Sequence, residues 1–210
     1  MVRDGLGLHA VRIARAGRVL LKIEAHVPSG EVLTLMGPSG SGKSTLLSFV
    51  MGDLSRAFAA TGRVTLDGRD LAGLPPEKRR IGILYQEPLL FPHLDVAGNL
   101  AFGLPKGGTR DDRRAAVETA LAEVELAGYG DRDSATLSGG QAARVALMRT
   151  LLARPRALLL DEPFGKLDSE LRDQTRRLVF ARARAARVPM LLVTHDKADA
   201  DAAGGQIMRL

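Results

Sequence analysis

The chain has no cysteine and no tryptophan, and aromatic residues make up only 4% of its 210 positions. Without cysteine, disulfides and thiolate metal sites are excluded, and the redox compartment leaves no mark. So few aromatics offer no stacking platform for nucleic acid. No helix-turn-helix or zinc-finger pattern takes its place, so nucleic acid comes last among expected partners. Hydrophobic residues reach 45%, yet no run approaches the ~20 apolar residues of a membrane span. The longest stretches, Ala157–Leu160 and Met190–Val193, have strand length. The N-terminus lacks the apolar core of a signal peptide, and the expectation is a soluble, cytoplasmic protein. Internal repeats and low-complexity linkers are also missing. The length suits one large domain, or a domain with a subdomain, burying roughly 70% of its unfolded surface without staples.

Charge is not balanced. Thirty Lys and Arg stand against 24 Asp and Glu, a net +6. Much of the excess lies in Arg172, Arg176, Arg177, Arg182, Arg184 and Arg187, all on one expected helix. A solvated face whose long stems cover apolar neighbours is the favoured reading. Attraction to an anionic membrane face is the second, and nucleic acid the third.

Short strands alternate with helices. Leu6–Ile13 and Val19–Val27 read as strands around a turn at Ala16-Gly17-Arg18, and Glu31–Met36 as a buried strand entering a glycine loop. Lys43–Val50 has helical periodicity. Val64–Leu66 ends at the turn Asp67-Gly68, and Ile81–Tyr85 is another strand. From Glu87 to about Thr136 helices and loops take over. Asp95 caps a helix through Phe102, and Thr109 with Asp112 opens a helix that repeats Ala116, Val117, Ala120, Leu121 and Val124. Ser138 caps Gly139–Ala153, which stops before Pro155. Leu158–Leu160 and Met190–Val193 are apolar runs of the kind buried on both faces of a parallel sheet. Ser169–Arg187 is helical, and Gln206–Leu210 a last strand. This pattern predicts a three-layer α/β core with N-terminal antiparallel strands and an inserted helical subdomain. Residues 1–86 and 153–210 form the expected core, and 87–152 the insertion.

Three motifs carry chemistry. Gly37-Pro38-Ser39-Gly40-Ser41-Gly42-Lys43-Ser44-Thr45 fits G-x-x-x-x-G-K-[ST] between a strand and a helix. Its glycines let backbone N–H groups approach phosphates, and the helix adds its positive end. Lys43 reaches the outer phosphates and the Ser44 hydroxyl is a natural Mg²⁺ ligand. The run Leu158-Leu159-Leu160-Asp161-Glu162-Pro163 delivers two adjacent carboxylates that point in different directions at a strand end. Ser138-Gly139-Gly140-Gln141, after Leu137, combines a hydroxyl, exposed N–H groups and a helix start.

Together these motifs resemble the ATP-binding cassette (ABC) ATPases, and the likeness covers nearly the whole chain. It implies a P-loop NTPase fold, ATP and Mg²⁺ as ligands, and ATP hydrolysis coupled to transport. By that resemblance Asp161 serves Mg²⁺, Glu162 is the general base or water-orienting group, and Gln86 is the metal- and water-sensing glutamine. His195 is the switch histidine that contacts the γ-phosphate. Ser138–Gln141 faces the phosphate loop of a second cassette, with Asp168 an inter-subunit contact, so two ATP molecules are sandwiched in a dimer. The remaining histidines, His9, His26 and His93, receive no chemistry.

Departures from the pattern matter. Gly165-Lys166-Leu167-Asp168 stands where the family often has Ser-Ala-Leu-Asp, so Lys166 adds a charge near the expected interface. Ala142-Ala143-Arg144 lacks a second polar residue often found after the signature. No aromatic occupies the adenine-stacking position near Ala14-Arg15, where Arg15 could stack through its guanidinium plane.

The stretch from Gln86 through Glu87-Pro88-Leu89-Leu90-Phe91-Pro92-His93-Leu94 to Asn99 and Phe102-Gly103 resembles importer ATPases. That implies integral-membrane permease subunits as partners, indirectly a solute-binding protein, and a peripheral place on the inner face of the membrane. Leu89, Leu90 and Phe91 are then a docking surface or local core, with the two readings even. An exporter, lipid-extraction or cell-division ATPase, or a soluble mechanical module, are the alternatives.

Overall fold

The computed structural model describes residues 4–210, with the side chain of Glu170 excepted. The chain divides into two compact units. The first comprises residues up to Ile83, Arg156–Glu162 and Arg177–Leu210, and the second Leu84–Pro155 with Pro163–Arg176.

The first unit holds two sheets. β1 (Leu6–Arg15), β2 (Arg18–Val27), β4 (Phe58–Leu66) and the short β5 (Arg69–Asp70) form an antiparallel sheet in the order β2-β1-β4-β5. β6 (Ile81–Leu84), β7 (Ala157–Asp161), β8 (Met190–Val193), β3 (Val32–Met36) and β9 (Gln206–Arg209) form the second, in the order β6-β7-β8-β3-β9. β3 pairs parallel with both β8 and β9, and β7 with β8. All four residues of β8 and the first four of β7 are buried, as central parallel strands require. Helix α1 (Lys43–Met51) packs on β7, and α7 (Lys197–Ala203) on β3. One apolar core runs from Leu6, Leu8 and Ile13 through Leu46 and Val50 to Leu159 and Leu191.

Expected and observed elements agree except at several edges. β4 begins at Phe58, six residues before the apolar run that announces it. Gly62 hides this start: its φ of 100° looks like a turn signal, but it faces a bulge in β1. A Cβ there would stand 2.6 Å from the Ala10 carbonyl oxygen, so only glycine fits. α7 and α2 (Pro76–Arg79) are too short to show a period. The arginine-rich helix α6 (Ser169–Ala185) ends before Arg187, not at it. Arg187 adopts φ 52°, its N–H donates to the Arg184 carbonyl, and the Val188 N–H donates to Ala183. That left-handed stop needs no glycine here.

The second unit is built on α3 (Val96–Gly103), α4 (Arg110–Glu123) and α5 (Gly139–Leu152), with a 3₁₀ turn at Ser134–Thr136. α3 lies against both α4 and α5. Each start is capped as its sequence predicts. Asp95 accepts from the Gly98 N–H, and Thr109 and Ser138 form reciprocal capping boxes with Asp112 and Gln141. Backbone and hydroxyl donation from Thr109 holds the Asp112 carboxyl below its usual range. Buried Asn99 organises the segment before α3: Oδ1 accepts from Phe91 N–H at 2.8 Å, and Nδ2 donates to the carbonyls of Phe91, Leu94 and Asp95.

The six arginines do not form one solvated face. Arg176 is buried, ion-paired with Asp173 at 2.6 Å and set over the Phe164 ring. Arg172 donates to the Leu167 carbonyl, while Arg184 donates to the Ala203 carbonyl and covers Phe180. Arginine stems and heads here pack and cap neighbouring segments; Arg177, Arg184 and Arg187 are nonetheless exposed.

Candidate functional site

β3 runs directly into the loop Gly37–Gly42, and α1 starts at Lys43. Gly40 and Gly42 take φ of 80° and 91°, so the loop turns where only glycine does so without strain. Gly42 occupies the cap position of α1 and offers no side chain to its N–H groups, which leaves them for an anion. Lys43 is buried, and its ammonium donates to the carbonyls of Gly37 and Pro38 at 2.8 Å each. It also reaches the Ser41 hydroxyl at 3.4 Å. The cation is thus held in the hollow of the loop that carries it.

Ser44, the next residue, hydrogen-bonds the Asp161 carboxylate at the end of β7. Burial pushes the Asp161 carboxyl up; the Ser44 hydroxyl and Lys43 partly counter this, while Glu162 adds to it. A half-buried carboxylate short of water, touching a hydroxyl, is a pair of hard oxygen ligands that a divalent cation would stabilise. Among the described residues no group of three or more His, Cys, Asp or Glu forms a protein-only metal cage. The pair therefore fits Mg²⁺, which keeps waters and takes further oxygens from a substrate's phosphates.

Glu162 has φ 46°, a left-handed conformation unfavourable for a residue with a Cβ. Its N–H still donates to the Val193 carbonyl at 2.9 Å. Glu162 Oε1 meets His195 Nδ1 at 3.0 Å. A carboxylate only accepts, so Nδ1 donates and Nε2 is left free of this contact. His195 is placed by a clamp the sequence did not announce. The buried Thr194 hydroxyl donates to buried Asp199 at 3.0 Å and accepts from the Asp196 N–H. Asp196 in turn caps α7. A Thr and an Asp five apart at a strand-to-helix turn are its only signal.

The first unit thus brings Lys43, Ser44, Asp161, Glu162 and His195 onto the ends of β3, β7 and β8. The other expected site residues belong to the second unit. Gln86 is exposed in the bend after β6. Ser138 and Gly139 are exposed at the start of α5, with Gln141 folded back on the Ser138 N–H at 2.9 Å. Asp168 accepts from the Leu171 N–H at 3.0 Å and so caps the start of α6.

Three side chains change or extend the sequence reading. Lys166 is not a bare added charge: it pairs with Glu87 at 2.7 Å. The Arg15 guanidinium stands 5.5 Å from the Phe58 ring on the neighbouring strand, a contact the sequence did not announce. Arg144 is buried on α5, donates to the Val124 carbonyl that ends α4, and feels Glu125 and Asp168. Burial pulls its pKa below the ordinary arginine value. An arginine inside the apolar run Ala143–Met148 was the visible clue.

Residues 20–165 match the family model described as ABC transporter. The chain belongs to the ABC transporter family. It is 49% identical over 185 residues to an uncharacterized ABC transporter ATP-binding protein, YnjD, of Escherichia coli, covering 88% of this chain and 85% of that one. It is 45% identical to the Fe(3+) ions import ATP-binding protein FbpC of Streptomyces coelicolor, over 97% of this chain and 58% of that protein. Identity is 43% to the spermidine/putrescine import ATP-binding protein PotA of Frankia alni, over 89% and 40% of the two chains. This chain therefore spans about half the length of those two import proteins. Among solved structures, the dimeric post-hydrolysis state of the ATP-binding cassette MJ0796 bound to ADP and Pi superposes with a TM-score of 0.84. That match is 29% identical and covers 98% of this chain and 94% of the other. The ABC fold is thus shared from the antiparallel sheet to β9.

Proposed function

We propose that this ABC protein binds and hydrolyses ATP as the motor subunit of a membrane importer. The observation that carries the reading is the contact of Glu162 with His195 at 3.0 Å, beside a strand end whose Asp161 touches Ser44. The glycine loop and the start of α1 hold the triphosphate through backbone N–H groups, and Lys43 leaves its loop carbonyls for the outer phosphates. Ser44 and Asp161 hold Mg²⁺, which neutralises phosphate charge when bound. Glu162 accepts a proton from, or orients, the attacking water. His195 holds Glu162 in place and turns its other ring nitrogen toward the γ-phosphate.

The Ser138–Gln141 turn of a second copy closes the pocket, with Asp168 at the seam; the dimeric MJ0796 cassette and the exposure of Ser138 and Gly139 support this. The resulting head-to-tail pair opens again when hydrolysis removes the γ-phosphate contacts. Importer names among the relatives support permease partners, as do Leu89 and Phe102, exposed at 59% and 68%. Phe102 packs against Phe91 with centroids 4.6 Å apart and rings tilted by 58°, and Arg149 lies over Phe91. This apolar edge receives a cytoplasmic helix of the permease, which places the cassette on the inner face of the membrane. No described helix is long and apolar enough to cross it.

Glu162→Gln is the test. Turnover of ATP falls by about a hundredfold or more, ATP binding persists, and the nucleotide traps a dimer on size-exclusion chromatography with light scattering. Unchanged turnover would remove Glu162 from the chemistry.

A further inference from the structure

Lys166 joins two distant segments of the second unit beside the signature helix. Its ammonium donates to Glu87 Oε2 at 2.7 Å, joining positions 79 apart in the chain. Its stem crosses the start of the signature helix: a Cβ built on Gly139 would lie 3.9 Å from Lys166 Cδ, and one on Gly140 3.3 Å from the Lys166 carbonyl oxygen. The Gly140 position is tight against the lysine backbone, whereas a Cβ at Gly139 would make only an ordinary contact with the lysine stem. Glu87, which holds the ammonium, directly follows Gln86, and Asp168 lies two residues beyond the lysine. One side chain therefore lies beside the signature turn while bonded to the segment that carries Gln86.

The pair is poised to exchange partners. Glu87 is 70% exposed and Lys166 35% exposed, so water and salt already weaken their attraction. Glu87 offers a single negative charge. A terminal phosphate brought to Ser138 offers more charge and three acceptor oxygens.

We propose that Lys166 is a further phosphate-binding residue of the signature site, held back by Glu87 until a second copy of the chain presents its nucleotide. This rests on the reading that the Ser138 turn meets the partner's triphosphate. Glu87 then acts as a competitor for the ammonium, and the two residues have opposite effects on nucleotide-driven pairing. An ordinary structural strut would give effects of the same sign.

The experiment uses the full chain carrying Glu162→Gln and measures, by analytical ultracentrifugation, the ATP concentration that half-converts monomer to dimer. Adding Lys166→Ala raises that concentration about tenfold, as loss of a charge-assisted hydrogen bond does, and Lys166→Arg restores most of it. Adding Glu87→Gln lowers it about two- to fivefold, the strength of an exposed ion pair. Thermal midpoints near that of the Glu162→Gln parent show that each variant is folded. If Lys166→Ala has no effect, or if both neutralisations weaken pairing, the proposal falls while the dimer reading stands. If the Glu162→Gln parent itself never pairs with ATP, both fall together.

Discussion

Replacing Glu162 by glycine should make the fold more stable than replacing it by alanine, the reverse of the usual order. Both substitutions remove the carboxylate and its contact with His195, so that loss cancels in the comparison. What differs is the backbone. Glu162 is held at φ 46°, a region that disfavours any residue with a Cβ by roughly 1–2 kcal/mol and leaves glycine unstrained. Against this, glycine loses about 0.5–1 kcal/mol more backbone entropy on folding than alanine. The balance favours glycine by about 0.75 kcal/mol at the centre of these ranges, or a midpoint difference of roughly 2–3 °C for a chain of this size. Urea and thermal unfolding of the two variants without nucleotide measure it. Equal stability, or alanine ahead, would show that the turn at β7 is not strained and that the carboxylate is aimed by its side-chain contacts alone. Neither variant should retain significant ATP turnover, because both lack the carboxylate.

Two further outcomes follow from the second unit. Asn99→Ala leaves the Phe91 N–H without its acceptor and takes one donor from each of three carbonyls, of which those of Phe91 and Asp95 keep other donors. It costs about 2 kcal/mol in urea unfolding; a cost under about 1 kcal/mol would mean that water replaces the side chain. Asp112→Ala lowers stability at neutral pH but not in acid. The folded carboxyl lies below its ordinary value of 3.8, so its contribution is full above that value and is lost as pH falls through the lowered one. A difference between parent and variant that persists in strong acid would contradict this.

Much of the architecture was legible in local pattern. Apolar runs of four announce β7 and β8, and Thr109, Asp95 and Ser138 announce helix starts, because caps and buried strands depend on neighbours within a few residues. The phosphate loop was legible because backbone approach to phosphate demands glycines at fixed spacing, and the ABC family followed from that loop together with the signature and the carboxylate pair. Sequence alone also placed Glu162 and His195 at strand ends. It did not show that parallel pairing of β7 with β8 would put their side chains 3.0 Å apart, nor that the Glu162 backbone would turn left-handed to do so. Contacts between residues far apart in the chain were hidden altogether. Lys166 with Glu87, Arg15 over Phe58 and Arg144 at the end of α4 depend on which loops and strands the crossovers bring side by side. Composition and periodicity carry no record of that, since a charge finds its partner only after the backbone has chosen its register.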